Sequence, residues 1–240
     1  MCGRYARFTP AEIYARIFDA AGDPGIEPSY NVAPSQPVLA ARSAGEGRRE
    51  LVALRWGLVP FWAKDPAIGY RTVNARAETV AVKPAFRAAL RARRCLIAAD
   101  GFYEWRRMAH GKQPYFLRLK GGAPFALAGL WERWSDRTSA MESCTIIVTA
   151  ANALVAPIHD RMPVILDPAD YRAWLDPDVT APGQVLALLR PYPPHAMEAV
   201  PVGTAVNRPE NDGPHLVEPV PAHAAASPGP GPVPGDPRSA

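Results

Sequence analysis

A cysteine directly behind the initiator methionine, in Met1-Cys2-Gly3-Arg4-Tyr5, is this chain's first candidate for covalent chemistry. Initiator methionine is commonly removed before a small second residue, which would leave Cys2 with a thiol and a free α-amine on adjacent carbons. An α-amine has an ordinary pKa of about 7.7–8.0 and a thiol about 8.5, so both are nucleophilic near neutrality. Such a pair is a reagent for aldehydes. The amine forms a Schiff base, the thiol closes on the imine carbon, and a five-membered thiazolidine results. A second-position cysteine can equally be a small apolar residue that packs, so the rest of the sequence has to decide.

Three further segments carry residues of the types that move protons or hold a substrate. In Asp100-Gly101-Phe102-Tyr103-Glu104-Trp105 a carboxylate stands among aromatics, where desolvation would raise its pKa and allow proton transfer near neutral pH. The plainer alternative is an edge-strand Glu104 paired with Arg106 or Arg107. In Ala156-Pro157-Ile158-His159-Asp160-Arg161-Met162-Pro163 a histidine sits beside both signs of charge, and histidine is the side chain that changes protonation most readily at such pH. It can also be a helix-terminal residue in a local ion pair. Arg71-Thr72-Val73-Asn74-Ala75-Arg76-Ala77-Glu78 presents an amide and a guanidinium within three residues, or else a turn asparagine and a surface arginine.

The elements that must position these residues can be read from periodicity and punctuation. Thr9-Pro10-Ala11-Glu12 has capping-box spacing and predicts a helix from Pro10 to Ala21, stopped by Gly22, Pro24 and Gly25. A second helix is expected over Lys83–Arg93, burying Phe86, Ala89 and Leu90 and turning Arg87, Arg91 and Arg94 outward. Strand character marks 36–41, 51–56, 95–99, 115–119, 125–130, 144–149 and 163–166; helices are expected from Asp167 to Trp174 and from Pro182 to Leu189. The pattern predicts an α+β fold, one domain with a strongly bent antiparallel sheet or barrel-like core flanked by short helices. That domain is expected over residues 1–221. The 222–240 stretch is Ala, Pro, Gly and Ser with almost no large apolar residue, and is read as a disordered tail.

Charge and cysteine content narrow the function classes. The net charge is +4, yet residues 1–120 hold 20 Lys and Arg against 10 Asp and Glu, while residues 121–240 hold 7 against 13. The first half therefore favours anionic partners, and with 23 Arg to 4 Lys the guanidinium fork suits phosphate. Arginine enrichment can also reflect a solvated surface. Cys2, Cys95 and Cys144 form no CxxC pair and leave an odd count, which argues against a disulfide framework and a metal site, and suits a reducing cytoplasm. Cys95 and Cys144 lie in apolar runs and are expected to be buried strand residues. No run of 18 apolar residues is present, so no membrane span is expected, and no cofactor loop is recognisable.

Taken together, seven ordered motifs resemble the SOS response-associated peptidase family of abasic-site processing proteins. They are Met1-Cys2-Gly3-Arg4-Tyr5, Tyr30-Asn31-Val32-Ala33-Pro34, Arg55-Trp56-Gly57-Leu58-Val59-Pro60, Asn74-Ala75-Arg76-Ala77-Glu78-Thr79, Asp100 to Trp105, Val148-Thr149-Ala150-Ala151 and His159-Asp160-Arg161-Met162-Pro163. The resemblance implies covalent capture of abasic sites in single-stranded DNA, including those at replication forks and junctions, by a monomeric cytoplasmic protein. It implies that Cys2 is the covalent residue, His159 a general acid and base, Glu104 the group that positions the amine and shuttles protons, and Asn74 the holder of the N-terminal segment. Arg4 and Arg76 would clamp phosphates, Phe61 and Trp62 would wedge against a base, and Asn31, Pro34 and Thr149 would line the pocket. A weak strand-cleaving lyase activity and autoproteolysis come with the family. Two alternatives stand beside it: an N-terminal-cysteine glutaminase, and a non-covalent single-strand binding module.

Overall fold

The computed structural model describes residues 2–221; the stretch read as a disordered tail, 222–240, lies outside the described residues. In chain order the elements are β1 (Tyr5–Arg7), α1 (Ala11–Phe18), β2 (Ser29–Val32), β3 (Pro37–Gly45), β4 (Arg48–Trp56), β5 (Asn74–Arg76), α2 (Arg87–Ala92), β6 (Arg94–Ala99) and β7 (Gly101–Arg107). There follow β8 (Lys112–Leu119), β9 (Phe125–Ser135), β10 (Ala140–Ala150), β11 (Arg161–Pro163), β12 (Ile165–Leu166), α3 (Tyr171–Leu175), α4 (Pro182–Leu186) and β13 (Met197–Pro201). Short 3-10 turns fill several of the connections. Among the described residues no helix is long and apolar enough to cross a membrane.

Two sheets result. The first runs β13-β8-β7-β1-β2, antiparallel throughout. The second closes on itself: β10 pairs with β4, β4 with β3, β3 with β6, β6 with β9, and β9 returns to β10, which makes a five-stranded barrel-like ring. The bent-sheet expectation therefore holds, with one physical difference. β4 and then β5 lie parallel to β10, at Ser143↔Arg55 and Ile146↔Asn74, because the 57–73 crossover carries the chain back to the same edge in the same direction. Gly129 on β9 lets the ring close tightly: a Cβ there would stand 2.7 Å from Cys95 Sγ and 2.7 Å from Ile97 Cδ1.

The alternation of the ring strands sorts the core into two faces, as a period of two requires. Val38, Ala40, Cys95, Ile97, Leu127, Cys144, Ile146 and Val148 share one apolar cluster with Tyr5, Phe102 and Leu117 of the first sheet. Leu39, Ala41, Leu96, Ala98, Ala126, Ala128 and Ile147 share another with α1, α2, α3 and α4. Cys95 and Cys144 are fully buried strand residues, as expected.

Local rules give way where distant groups compete. No capping box forms at Thr9, because its hydroxyl and its amide, with that of Phe8, are taken by the buried Asp100 carboxylate; α1 starts after Pro10 and ends at Phe18 on a left-handed Asp19. Thr79 to Phe86 is turn rather than helix, and α2 is only its last part, though Phe86, Ala89 and Leu90 do bury. Arg94 corrects the outward-facing reading. It is 4 % exposed and donates to the carbonyls of Leu90, Arg91, Trp174 and Asp176, so its charge sits among aligned carbonyl dipoles.

Gly101 is the tightest point between β7 and β8. A Cβ there would lie 2.2 Å from Phe116 Cζ and 2.8 Å from the Leu117 carbonyl oxygen. Gly101→Ala is expected to destabilise by about 3 kcal/mol or more, since neither the ring nor the strand can retreat in a packed core. Denaturant unfolding checks this; a loss under about 1 kcal/mol would mean that β8 is free to shift.

Candidate active site

Strands from both sheets bring the candidate residues to one place. The segment ahead of β1 continues antiparallel beside β7, with the Tyr103 amide donating to the Arg4 carbonyl at 3.0 Å, and this brings Cys2 next to Glu104. Asn74 opens β5, held in register on β10, and its Nδ2 donates to the Cys2 carbonyl at 2.8 Å. Its Oδ1 is buried and accepts no hydrogen bond from the described residues. His159 ends the loop between β10 and β11. Asn152 builds that loop, its Oδ1 accepting the Leu154 and Val155 amides at 3.0 Å and its Nδ2 donating to the Tyr192 carbonyl at 2.7 Å.

Burial sets the protonation states. Cys2 is completely inaccessible, and desolvation, reinforced by the Glu104 charge, pushes its thiol well above the ordinary range. Glu104 is 3 % exposed on β7, an internal strand rather than an edge, and burial raises its carboxyl from 4.5 to about 7, with Asp160 adding in the same direction. This carboxyl therefore exchanges its proton near neutrality. Burial lowers the pKa of His159 despite the neighbouring Asp160, so the ring is neutral at pH 7.

Two groups meet the same ring nitrogen of His159. The Arg161 amide donates to Nδ1 at 3.0 Å, and an Asp160 carboxylate oxygen also lies 3.0 Å from it. They favour opposite tautomers. The Arg161 amide is a fixed backbone donor, whereas Asp160 is 84 % exposed and well hydrated, so the amide decides and the ring proton resides on Nε2.

The expected binding residues divide by exposure. Phe61 and Trp62 are exposed at 58 % and 48 %, both on the crossover between β4 and β5. Arg76 at the end of β5 is exposed, and Pro34 is half-buried in the turn after β2. Arg4 is half-buried, with Nη1 donating to Asn31 Oδ1 at 2.8 Å and to the Val206 carbonyl at 3.0 Å. Asn31 is buried, and its Nδ2 donates to the Arg208 and Asn211 carbonyls, so it fastens Arg4 to the 204–211 segment. The Thr149 hydroxyl is buried and turned to the Leu189 carbonyl at 3.5 Å.

Three residues were not singled out from sequence. Asp160 acts on both Glu104 and His159; its place beside the histidine in the motif was the available signal. Arg161 is joined to Glu78 by a charge-assisted hydrogen bond, which links the β11 and β5 motifs. Tyr70, 66 % exposed on the same crossover as Phe61 and Trp62, has no motif to mark it. A cleft of about 860 Å³ between α1 and the β3–β4 hairpin, lined by Arg16, Asp19 and Arg48, contains none of the residues gathered around Cys2. Among the described residues no group of His, Cys, Asp and Glu is arranged to hold a metal ion.

Comparison with known proteins gives a consistent result. Residues 1–209 match the family model described as SOS response associated peptidase (SRAP). The chain is 45 % identical over 223 residues to the abasic site processing protein YoqW of Bacillus subtilis, covering 91 % of this chain and 99 % of that one. It is 30 % identical to the abasic site processing protein YedK of Escherichia coli, over 92 % of this chain and all of that one. The abasic site processing protein HMCES of Xenopus tropicalis is 32 % identical over 80 % of this chain and 66 % of its own. Among solved structures, a protein from Bacteroides thetaiotaomicron superposes with a TM-score of 0.83 at 27 % identity, over 91 % of this chain and all of that one.

Proposed function

The chain belongs to the SOS response associated peptidase family, and on that premise we propose that it captures the ring-opened aldehyde of abasic sites in single-stranded DNA as a thiazolidine on Cys2, once Met1 is removed. The observation that carries this reading is the packing of Cys2 between the Asn74 amide and a Glu104 carboxyl raised to about 7. Relatives named for abasic site processing support the substrate.

The steps follow from the protonation states. His159, with its proton on Nε2, hydrogen-bonds the ring oxygen of the closed sugar while a water molecule takes the proton of the C1 hydroxyl and gives one to that oxygen, and the aldehyde opens with His159 unchanged. The Cys2 amine adds to C1. Glu104, protonated in a large share of molecules near pH 7, gives its proton to the carbinolamine oxygen, which departs as water and leaves the imine. The ionised Glu104 then takes the thiol proton as sulfur bonds to C1 and the C=N electron pair moves to nitrogen, which is protonated in turn. Aldehyde and aminothiol thus become thiazolidine and water. The elevated thiol pKa makes this base necessary, because burial suppresses the free thiolate. At the imine stage, loss of the C2 proton can expel the 3′ phosphate, which gives the secondary lyase activity. Arg4, Arg76, Phe61 and Trp62 would hold the strand by phosphate contact and stacking.

Incubation with three single-stranded oligonucleotides tests the reading: one abasic, one abasic and reduced with borohydride, and one intact. The expected result is a denaturation-resistant species with the aldehyde alone, whose mass equals protein without Met1 plus oligonucleotide minus one water. Equal retention of the reduced and intact strands with no adduct would support the non-covalent binder instead, and ammonia release from glutamine would support the glutaminase.

A further inference from the structure

His159 stands on the loop between β10 and β11, and one buried side chain gives that loop its shape. The ladder pairs Ala150 with Arg161, and the Ala151 amide donates to the Asp160 carbonyl at 3.1 Å, so the chain leaves the sheet at Asn152 and returns at His159. The excursion has no ladder of its own. Asn152, 7 % exposed, supplies the substitute from both ends of its amide: Oδ1 accepts the Leu154 and Val155 amides at 3.0 Å, and Nδ2 donates to the Tyr192 carbonyl at 2.7 Å. The backbone bonds of the same turn, from the Val155 and Ala156 amides to the Asn152 carbonyl, close a single helical turn, which does not hold by itself.

Two links connect the Asn152 side chain to the histidine. Asn152 holds the Val155 amide, and the Val155 carbonyl accepts the Ile158 amide at 2.8 Å and the His159 amide at 3.0 Å. The Val155 side chain is fully buried in the apolar cluster that contains Cys2, which fixes the middle of this chain of bonds against the reactive residue. Placing the His159 backbone then places its ring, because the Arg161 amide that decides the tautomer reaches Nδ1 across one intervening residue.

We propose that Asn152 is a positioning residue for His159, holding the ring so that Nε2 meets the sugar oxygen during ring opening. The inference rests on the reading of Cys2 and His159 given above. It assigns Asn152 no contact with the substrate.

Asn152→Ala and Asn152→Asp test it on two single-stranded oligonucleotides: one abasic, and one whose lesion carries an acyclic aldehyde that lacks the 4′ hydroxyl and cannot close into a ring. Asn152→Ala is expected to slow adduct formation with the abasic strand by about tenfold, within the loss that a displacement of about 1 Å can cause. With the acyclic aldehyde, which needs no ring opening, it should stay within about twofold of wild type. Asn152→Asp keeps the acceptor for both amides and loses the donor to Tyr192, so it should fall between the two. Long-range 1H–15N spectra of His159 should show the proton on Nε2 in wild type and a mixture of tautomers in Asn152→Ala. Equal slowing on both strands would overturn the inference by showing a general structural loss, and so would an unchanged rate on the abasic strand or an unchanged His159 spectrum in Asn152→Ala. A wild type that forms an adduct with neither strand would overturn the reading at Cys2, and the spectra would still decide this one.

Discussion

Cys2→Ala is expected to abolish the proposed denaturation-resistant adduct with abasic single-stranded DNA and to leave non-covalent binding of the same strand intact. The loss is complete because the substitution removes the sulfur that converts a hydrolysable imine into a closed ring. Cys2→Ser separates the two nucleophiles: it keeps the α-amine, so borohydride should still trap an imine, while without reductant no stable species survives. Folding is not the confounding factor. Cys2 is a small member of a large apolar cluster, and truncating it to alanine costs on the order of 1 kcal/mol. Intact-mass spectrometry of the denatured mixture reads the outcome, and undiminished adduct in Cys2→Ala would move the chemistry to another side chain.

Glu104→Gln is expected to slow capture by about a hundredfold at neutral pH, the usual magnitude for a lost general acid and base. The wild-type rate should change slope near pH 7, where the carboxyl titrates, and that inflection should vanish in the variant. Stability moves the other way. Burial raises the carboxyl from 4.5 to about 7, so between those values the folded protein holds a proton that the unfolded chain has released. Stability therefore falls as pH rises through that window, and the full penalty is present above it. Glutamine removes the penalty: Glu104→Gln should match wild type near pH 4 and exceed it by about 3 kcal/mol near pH 8 in urea unfolding. A variant less stable than wild type at alkaline pH would show that the fold holds this group as a favoured anion.

Glu104 also illustrates what a sequence can announce. Its aromatic neighbours in Asp100 to Trp105 imply desolvation, and the structure delivers it on an internal strand. The ring strands were legible from a local signal too: 95–99, 125–130 and 144–149 are short, nearly continuous apolar runs, the mark of strands buried on both faces. What escaped was decided at long range. Thr9 abandons its cap for Asp100, 91 residues away, and Arg94 is drawn inward by carbonyls 80 and 82 residues on. Similarly, the parallel partners of β10 follow from the path of a crossover rather than from residues within either strand. Asn31 sits in a motif that the family resemblance assigns to the pocket, yet its bonds to Arg4 and to the 208 and 211 carbonyls depend on a segment some 175–180 residues downstream. Tyr70 escaped because an exposed tyrosine carries no local period at all.

The place of β1 in its sheet has a consequence for timing. β1 lies between β7 and β2, pairing Tyr5 with Phe102 and Ala6 with Gly101, so half of its ladder does not exist until residues about a hundred positions later have been made. At ribosomal speeds of about 5–20 residues per second, that interval lasts on the order of ten seconds. Throughout it the Cys2 end is an unpaired strand of nascent chain; after it, Cys2 is packed beside Glu104 and bonded through its carbonyl to Asn74. If Cys2 acts as proposed, the interval in which Met1 is most readily removed falls within translation.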